Sequence, residues 1–144
     1  MADEILTKFT KQDVIIAPIK VLYNGFFKIN LYQFEHALFA GGQSATIRRE
    51  ILERGDAVAV LPYDPVTDCI LLIEQIRIGA IKSKQSPWLL ECIAGMTDGS
   101  TNYEDVVRRE AFEEAGLVLS ELEFMLSYLS SPGGTTERLH LYLA

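Results

Sequence analysis

The residues of this chain best suited to chemistry are three glutamates, Glu110, Glu113 and Glu114, in the stretch from Gly95 to Leu117. Spacings of i, i+3 and i+4 put them on one side of a helix, because each residue advances about 100° around the axis. Tyr103, Val106 and Val107 fall with them in an arc of roughly 100°, so an apolar stripe runs into an acidic cluster. A stripe that packs inward carries its acids inward too. Like charges at i,i+4 repel, and half-burying them adds a desolvation penalty. A divalent cation with oxygen ligands would relieve both, and carboxylates at these spacings converge well enough to hold one or more such ions. The plain alternative is a solvated glutamate-rich face, the commoner fate of charged helix positions. The flanking punctuation argues against it. Ala94-Gly95-Met96 enters the helix through Asp98-Gly99-Ser100-Thr101-Asn102, and Gly116 supplies a C-terminal stop before Leu117-Val118-Leu119.

The elements that must position these acids follow from local patterns. Ala57 to Leu61 and Cys69 to Glu74 read as short buried strands around the loop Pro62-Tyr63-Asp64-Pro65-Val66-Thr67-Asp68. Trp88 to Ile93, opened by Pro87, reads as a single strand that delivers Ala94-Gly95 to the helix. After the helix, Leu122 to Leu129 reads as a strand, 130–135 as a loop, and Leu139 to Leu143 as a strand with leucines at alternate positions. The first fifty or so residues read as a small β-rich unit. Val14 to Val21 is an apolar run ending near Asn24-Gly25, a hairpin signal, and Phe27, Ile29 and Leu31 then alternate with polar or amphipathic residues. A second turn falls at Gly41-Gly42, while Ser44 to Gly55 is ambiguous between strand and helix.

Composition limits the possibilities further. A chain of 144 residues with 49% hydrophobic content has room for one domain with a real core. A net charge of −7 disfavours general nucleic-acid binding, which needs basic surface. Cys69 and Cys92 lie in apolar runs and read as buried small hydrophobes. Met1-Ala2-Asp3-Glu4 is acidic and lacks a signal-peptide core, and no apolar run approaches membrane-spanning length. The default expectation is a soluble cytoplasmic protein with no nucleic-acid or membrane partner.

Gly95 followed by Arg109-Glu110-Ala111-Phe112-Glu113-Glu114-Ala115-Gly116-Leu117 resembles the Nudix box, the loop–helix–loop signature of nucleoside-diphosphate-linked pyrophosphatases. One position departs, since Thr101 stands where the family's first glutamate is expected. Tyr23-Asn24-Gly25-Phe26-Phe27, Arg48-Arg49-Glu50, Ile73-Glu74-Gln75-Ile76-Arg77 and the stretch from Ser131 to Arg138 extend the resemblance to the ADP-ribose pyrophosphatase branch. It implies an α+β Nudix fold: a mixed β-sheet with the loop–helix–loop motif over 53–144, preceded by an antiparallel β unit over 1–52 that is exchanged in a homodimer. It further implies Mg²⁺, with Mn²⁺ as an alternative, on the Ala94 carbonyl, Glu110 and Glu114, with Glu113 a further or supporting ligand.

The implied reaction is hydrolysis of ADP-ribose to AMP and ribose 5-phosphate. Phe26 would stack on adenine, Arg49 would contact the adenine end, and Arg77 would hold the diphosphate. Glu137 would meet the ribose region and Met96 would line the substrate. Arg109 is expected to pair with Glu113 at i,i+4 and orient it. Glu113 is the fallback general base, because the family's base follows a later strand. Relatives continue beyond Leu143 with a strand, an acidic loop and a second helix, so a partial chain is expected. The plain alternatives are Phe26 as a core residue of its hairpin, Arg49 paired with Glu50 or Glu53, and Arg109 as a surface ion pair. Arg77, ending an apolar strand beside Gly79, has little evident structural use. For the whole protein the alternatives are another nucleotide-sugar diphosphatase, such as one for GDP-mannose, or a noncatalytic nucleotide-sugar binder.

Overall fold

Pro18 breaks the apolar run that the sequence presents as one segment, leaving β1 (Val14–Ile16) and β2 (Lys20–Asn24). Both pairs remain on the same edge of the long strand β3 (Lys28–His36): β2 lies against its start and β1 against its end, all antiparallel. The computed structural model describes residues 8–144, so the acidic start Met1–Glu4 lies outside the described residues. Asn24-Gly25 does form the β2–β3 turn, closed by Gly25 N–H donating to the Phe27 carbonyl at 3.0 Å. The ambiguous stretch resolves as strand β4 (Ile47–Glu53), antiparallel to β3 along its other edge. Pairing over seven positions decides what a mixed local pattern leaves open. These strands, with Gly133–Thr135, make one unit that ends at Arg54. Inside it Glu53 Oε1 accepts hydrogen bonds from Tyr32 Oη at 2.5 Å and from Asn30 Nδ2 at 3.2 Å.

The second unit runs from Gly55 to Pro132 and resumes at Thr136. Its strands are β5 (Ala57–Leu61), β6 (Tyr63–Asp64), β7 (Cys69–Ile70), β8 (Ile73–Ile76), β9 (Trp88–Glu91), β10 (Ile93–Met96), β11 (Glu123–Leu129) and β12 (Arg138–Leu143). The main sheet has the order β10-β5-β12-β11, mixed because β12 runs parallel to β5 while the other pairs are antiparallel. β6 pairs with β7, and β8 with β9, as separate two-stranded sheets. The predicted strand Trp88–Ile93 is therefore two strands that change partner at Cys92. Likewise Cys69 to Glu74 is divided between β7 and β8.

Helix α1 (Tyr103–Ala115) packs on β10 and β5. Asn102 caps its start by accepting the Asp105 N–H at 3.4 Å, and Gly116 ends it at φ 67°. Val106, Val107 and Ala111 meet Val58, Val60, Ile93 and Tyr142 in the core of this unit. Burial of these apolar surfaces, rather than helix propensity, holds α1 in place. On β12 the expected parity is inverted: His140 and Tyr142 are buried, and the leucines between them are half-buried. The cysteine expectation also fails, because Cys69 is exposed beside the β6–β7 turn and Cys92 is only half-buried. A two-residue strand pair is too small to cover its own side chains. Among the described residues no helix is long and apolar enough to cross a membrane.

Candidate active site

The Glu110 side chain of helix α1 lies directly over Gly95 of strand β10, in the space that a side chain at that position would take. A Cβ added at Gly95 would lie 2.1 Å from Cδ and 2.4 Å from Oε1 of Glu110. One turn further along, Glu114 Oε2 accepts a hydrogen bond from the Ala94 N–H at 3.3 Å. Two of the predicted metal-binding carboxylates thus lie against the backbone of Ala94 and Gly95. The inward-facing expectation holds in part: the Glu110 side chain is 16% exposed, whereas Glu113 and Glu114 are exposed. The packed face runs through Ala111, with Ala115 half-buried against the core in the last turn, and leaves Glu113 and Glu114 beside it rather than in it.

Arg109 is the clearest correction. Its Nη2 donates to Glu110 Oε1 at 2.7 Å rather than pairing with Glu113. The helix spacing permits the i,i+4 pair, but Glu110 is the more enclosed carboxylate and gains more from a cation. Glu110, then Glu113 and Asp98, push the Arg109 guanidinium upward from its ordinary pKa. Arg77 also has a structural partner that its sequence context does not suggest. It ends the β8–β9 hairpin and binds Glu91 through Nε and Nη2. The contact with Glu91 raises the Arg77 pKa, with a smaller push from the charge of Glu114. That places Arg77 within electrostatic reach of the acidic end of α1.

Met96 ends β10, half-buried, with Cε 3.9 Å from where a Cβ on Gly55 would stand. Glu137 precedes β12 and accepts the Ser130 hydroxyl at 2.7 Å, closing the loop that begins Ser130-Ser131-Pro132. Phe26 and Arg49 belong to the first unit. Phe26 is 95% exposed at the tip of the β2–β3 hairpin and stacks edge-on against Phe27, so it is no core residue. Arg49 Nη1 donates to the Arg48 carbonyl at 2.8 Å, and Glu53 is occupied by Tyr32 and Asn30 instead. Thr101, at the divergent position, is exposed in the loop before α1.

Three residues near the start of α1 were not legible as partners. His140 Nε2 lies 3.4 Å from Asp56 Oδ2, Tyr103 Oη donates to the same oxygen at 3.4 Å, and the two rings stack at 4.1 Å. The cluster ties the first turn of α1 to β12 and to the entry of β5. His140 and Asp56 are 84 residues apart, and the alternating leucines of β12 would have marked His140 as outward-facing, so no local signal could have found the pair.

As the side chains stand, no three of His, Cys, Asp and Glu among the described residues are grouped to hold a metal ion. Glu110 is engaged by Arg109, and Glu114 by the Ala94 N–H. The donor chemistry nevertheless fits a hard cation: Glu110, Glu113, Glu114 and the Ala94 carbonyl offer only oxygen. The space kept by Gly95 seats Glu110 beside that carbonyl's strand. Arg77 adds a guanidinium, which matches phosphate oxygens in a fork. Carboxylates for a cation and an arginine for an anion, on rigid elements, make an arrangement able to bind a metal–diphosphate pair.

Residues 53–144 match the NUDIX domain. The ADP-ribose pyrophosphatase of Escherichia coli (strain K12) is 52% identical over 136 residues, covering 94% of this chain. The chain spans 65% of that relative's length. The GDP-mannose pyrophosphatase of Pectobacterium atrosepticum is 35% identical over 126 residues, covering 87% of this chain and 64% of the relative. A crystal structure of an ADP compounds hydrolase superposes with a TM-score of 0.71 at 19% identity, covering 94% of this chain and 69% of that one, a likeness of fold. With 92 of its 144 residues matched and the glycine-spaced acidic helix in place, the chain belongs to the NUDIX domain family.

Proposed function

We propose that this protein hydrolyses the diphosphate bond of ADP-ribose, giving AMP and ribose 5-phosphate. The observation that carries this reading is the seat made by Gly95, which holds Glu110 against β10 while Glu114 reaches the neighbouring Ala94 backbone. Identity of 52% to an ADP-ribose pyrophosphatase, against 35% to a GDP-mannose pyrophosphatase, favours ADP-ribose over other nucleotide sugars. Glu110, Glu114 and the Ala94 carbonyl would hold Mg²⁺, or Mn²⁺ in its place, with Glu113 as a further or supporting carboxylate. When bound, that ion neutralises diphosphate charge and makes water a better nucleophile at neutral pH.

The chain's own residues account for the remaining tasks. Arg77 forks onto the diphosphate and offsets charge as it develops. Water adds to one phosphorus, the bridging P–O bond breaks, and the other phosphate departs with its oxygen. Glu113 is the base available in this chain to take the water's proton, and Arg109 orients the carboxylates beside it. Phe26 stacks on adenine, Arg49 contacts the adenine end, Glu137 meets the ribose region and Met96 lines the substrate. The unit over 1–52 serves dimerisation and substrate binding, exchanged within a cytoplasmic homodimer, and 53–144 is the catalytic domain.

The test is release of AMP or GMP from ADP-ribose, ADP-glucose and GDP-mannose with Mg²⁺, with EDTA as control. Preferential cleavage of ADP-ribose that EDTA abolishes is the expected result. Preference for GDP-mannose would overturn the substrate, and tight ADP-ribose binding without turnover would favour a nucleotide-sugar binder.

A further inference from the structure

Arg77 leaves β8 opposite Pro87, to whose carbonyl its N–H donates at 2.8 Å, but its guanidinium is found elsewhere. It binds Glu91, four positions further along β9, or about 13 Å of strand. The side chain therefore lies back along the hairpin face shared by Ile73, Gln75, Leu89 and Glu91, whose register places them together. Nε donates to the two Glu91 oxygens at 2.9 and 3.0 Å, and Nη2 donates to Oε2 at 2.6 Å. Gln75 Nε2 donates to Glu91 Oε2 at 3.4 Å, fixing the carboxylate from the position between them. The anchor is the more enclosed partner, at 23% exposure against 48% for Arg77.

A guanidinium carries five N–H donors in a planar fork with more than one usable edge. Glu91 takes the Nε–Nη2 edge, so the Nη1 side remains for a second anion. We propose that Glu91 is a positioning residue for the diphosphate: it removes the freedom of the Arg77 side chain and sets its remaining edge before substrate arrives. This rests on the reading of Arg77 as the diphosphate contact. Glu91 precedes Cys92 and β10, so the same short segment that carries the Ala94–Gly95 seat also anchors the arginine. Positioning of this kind improves binding by reducing the entropy lost on association.

Calorimetric titration of ADP-ribose into the protein in EDTA, with KM and kcat measured in Mg²⁺, tests this in R77A, E91A, E91Q and the double variant R77A/E91A. E91A is expected to weaken binding about tenfold, with the loss larger in KM than in kcat. E91Q, which keeps the side chain's shape and can accept one hydrogen bond, should fall between E91A and the parent. On the R77A background, E91A should change the Kd by less than about twofold, since its effect passes through the arginine. If R77A weakens binding and E91A does not, the positioning role is refuted while the diphosphate reading stands. Tighter binding by E91A would show Glu91 to be a competitor for Arg77 and would refute it as well. An R77A variant that binds as the parent does would overturn the diphosphate reading and the positioning role with it. Circular dichroism of each variant separates these outcomes from loss of fold.

Discussion

Replacing Gly95 with alanine adds one methyl group at the closest approach of α1 and β10. The backbone there is outside the left-handed region, so alanine suffers no conformational strain and the perturbation is purely one of space. The new carbon would stand 2.1 Å from Cδ of Glu110, where carbon atoms ordinarily rest about 3.5–4.0 Å apart. Either α1 lifts or the Glu110 side chain withdraws, and the carboxylate moves by about 1.5 Å in either case. Misplacing a reacting or binding group by about 1 Å is enough for a 100-fold loss. The expected result is a fall in kcat/KM of about 100-fold, equivalent to about 2.7 kcal/mol of transition-state stabilisation. Overpacking should lower stability by about 1–3 kcal/mol, visible as a lower Tm in a protein that still folds. The assay is AMP release from ADP-ribose across a Mg²⁺ titration, run beside a thermal melt. Retention of kcat/KM within threefold, with the Mg²⁺ dependence unchanged, would refute the role assigned to this seat.

Glu114→Gln keeps an oxygen for the Ala94 N–H but removes the charge, so turnover should fall roughly 100-fold or more while Tm hardly moves; unchanged kcat would exclude a metal role for Glu114. Tyr32 is tied to Glu53, whose hydrogen bond first, then burial and charge, raise the phenol pKa above its ordinary value of 10.0. Its contribution to stability is therefore fully present below about pH 10 and lost as pH rises through the raised value. Urea midpoints from pH 8 to 11 should fall more steeply for the parent than for Tyr32→Phe, and parallel curves would refute the coupling. Burial raises the Cys92 thiol pKa, while Cys69 is exposed. A thiol reagent at neutral pH should accordingly label Cys69 first, with Cys69→Ser leaving only the slow phase; equal rates would contradict the assignment.

What the sequence reveals and what it hides divide along physical lines. Helix α1 is legible because its signals are local: a polar loop ending at Asn102, apolar residues at helical spacing and a glycine stop at Gly116. The hairpin at Asn24-Gly25 is legible for the same reason. The division of Trp88 to Met96 at Cys92 is hidden, since both halves have strand composition and only a change of partner, from β8 to β5, separates them. Ion pairs behave similarly. The glutamates of α1 could be placed on one side from spacing alone, but which of them Arg109 chooses depends on how each is enclosed by β10. Arg77 and Glu91 are fourteen residues apart, and Tyr103, Asp56 and His140 come from three separate segments. Contacts of that kind have no periodicity to betray them. Thr101, the one departure from the box, has an exposed position and no role that the structure explains.

The parallel pairing of β12 with β5 has a consequence for the order in which the molecule assembles. β5 lies between β10 and β12, and the two pairings close very different loops: Leu139 meets Ala57 across some eighty residues, Met96 across about forty. Antiparallel β10–β5 contact and α1 can form while the chain is still short of β12, whereas the stack of His140 on Tyr103 cannot. Closing the longer loop comes late and slowly in a search dominated by topology. Until it happens, β5 has an open edge, a ready template for mispairing. Refolding monitored through the Tyr103–His140 pair should therefore lag behind helix formation.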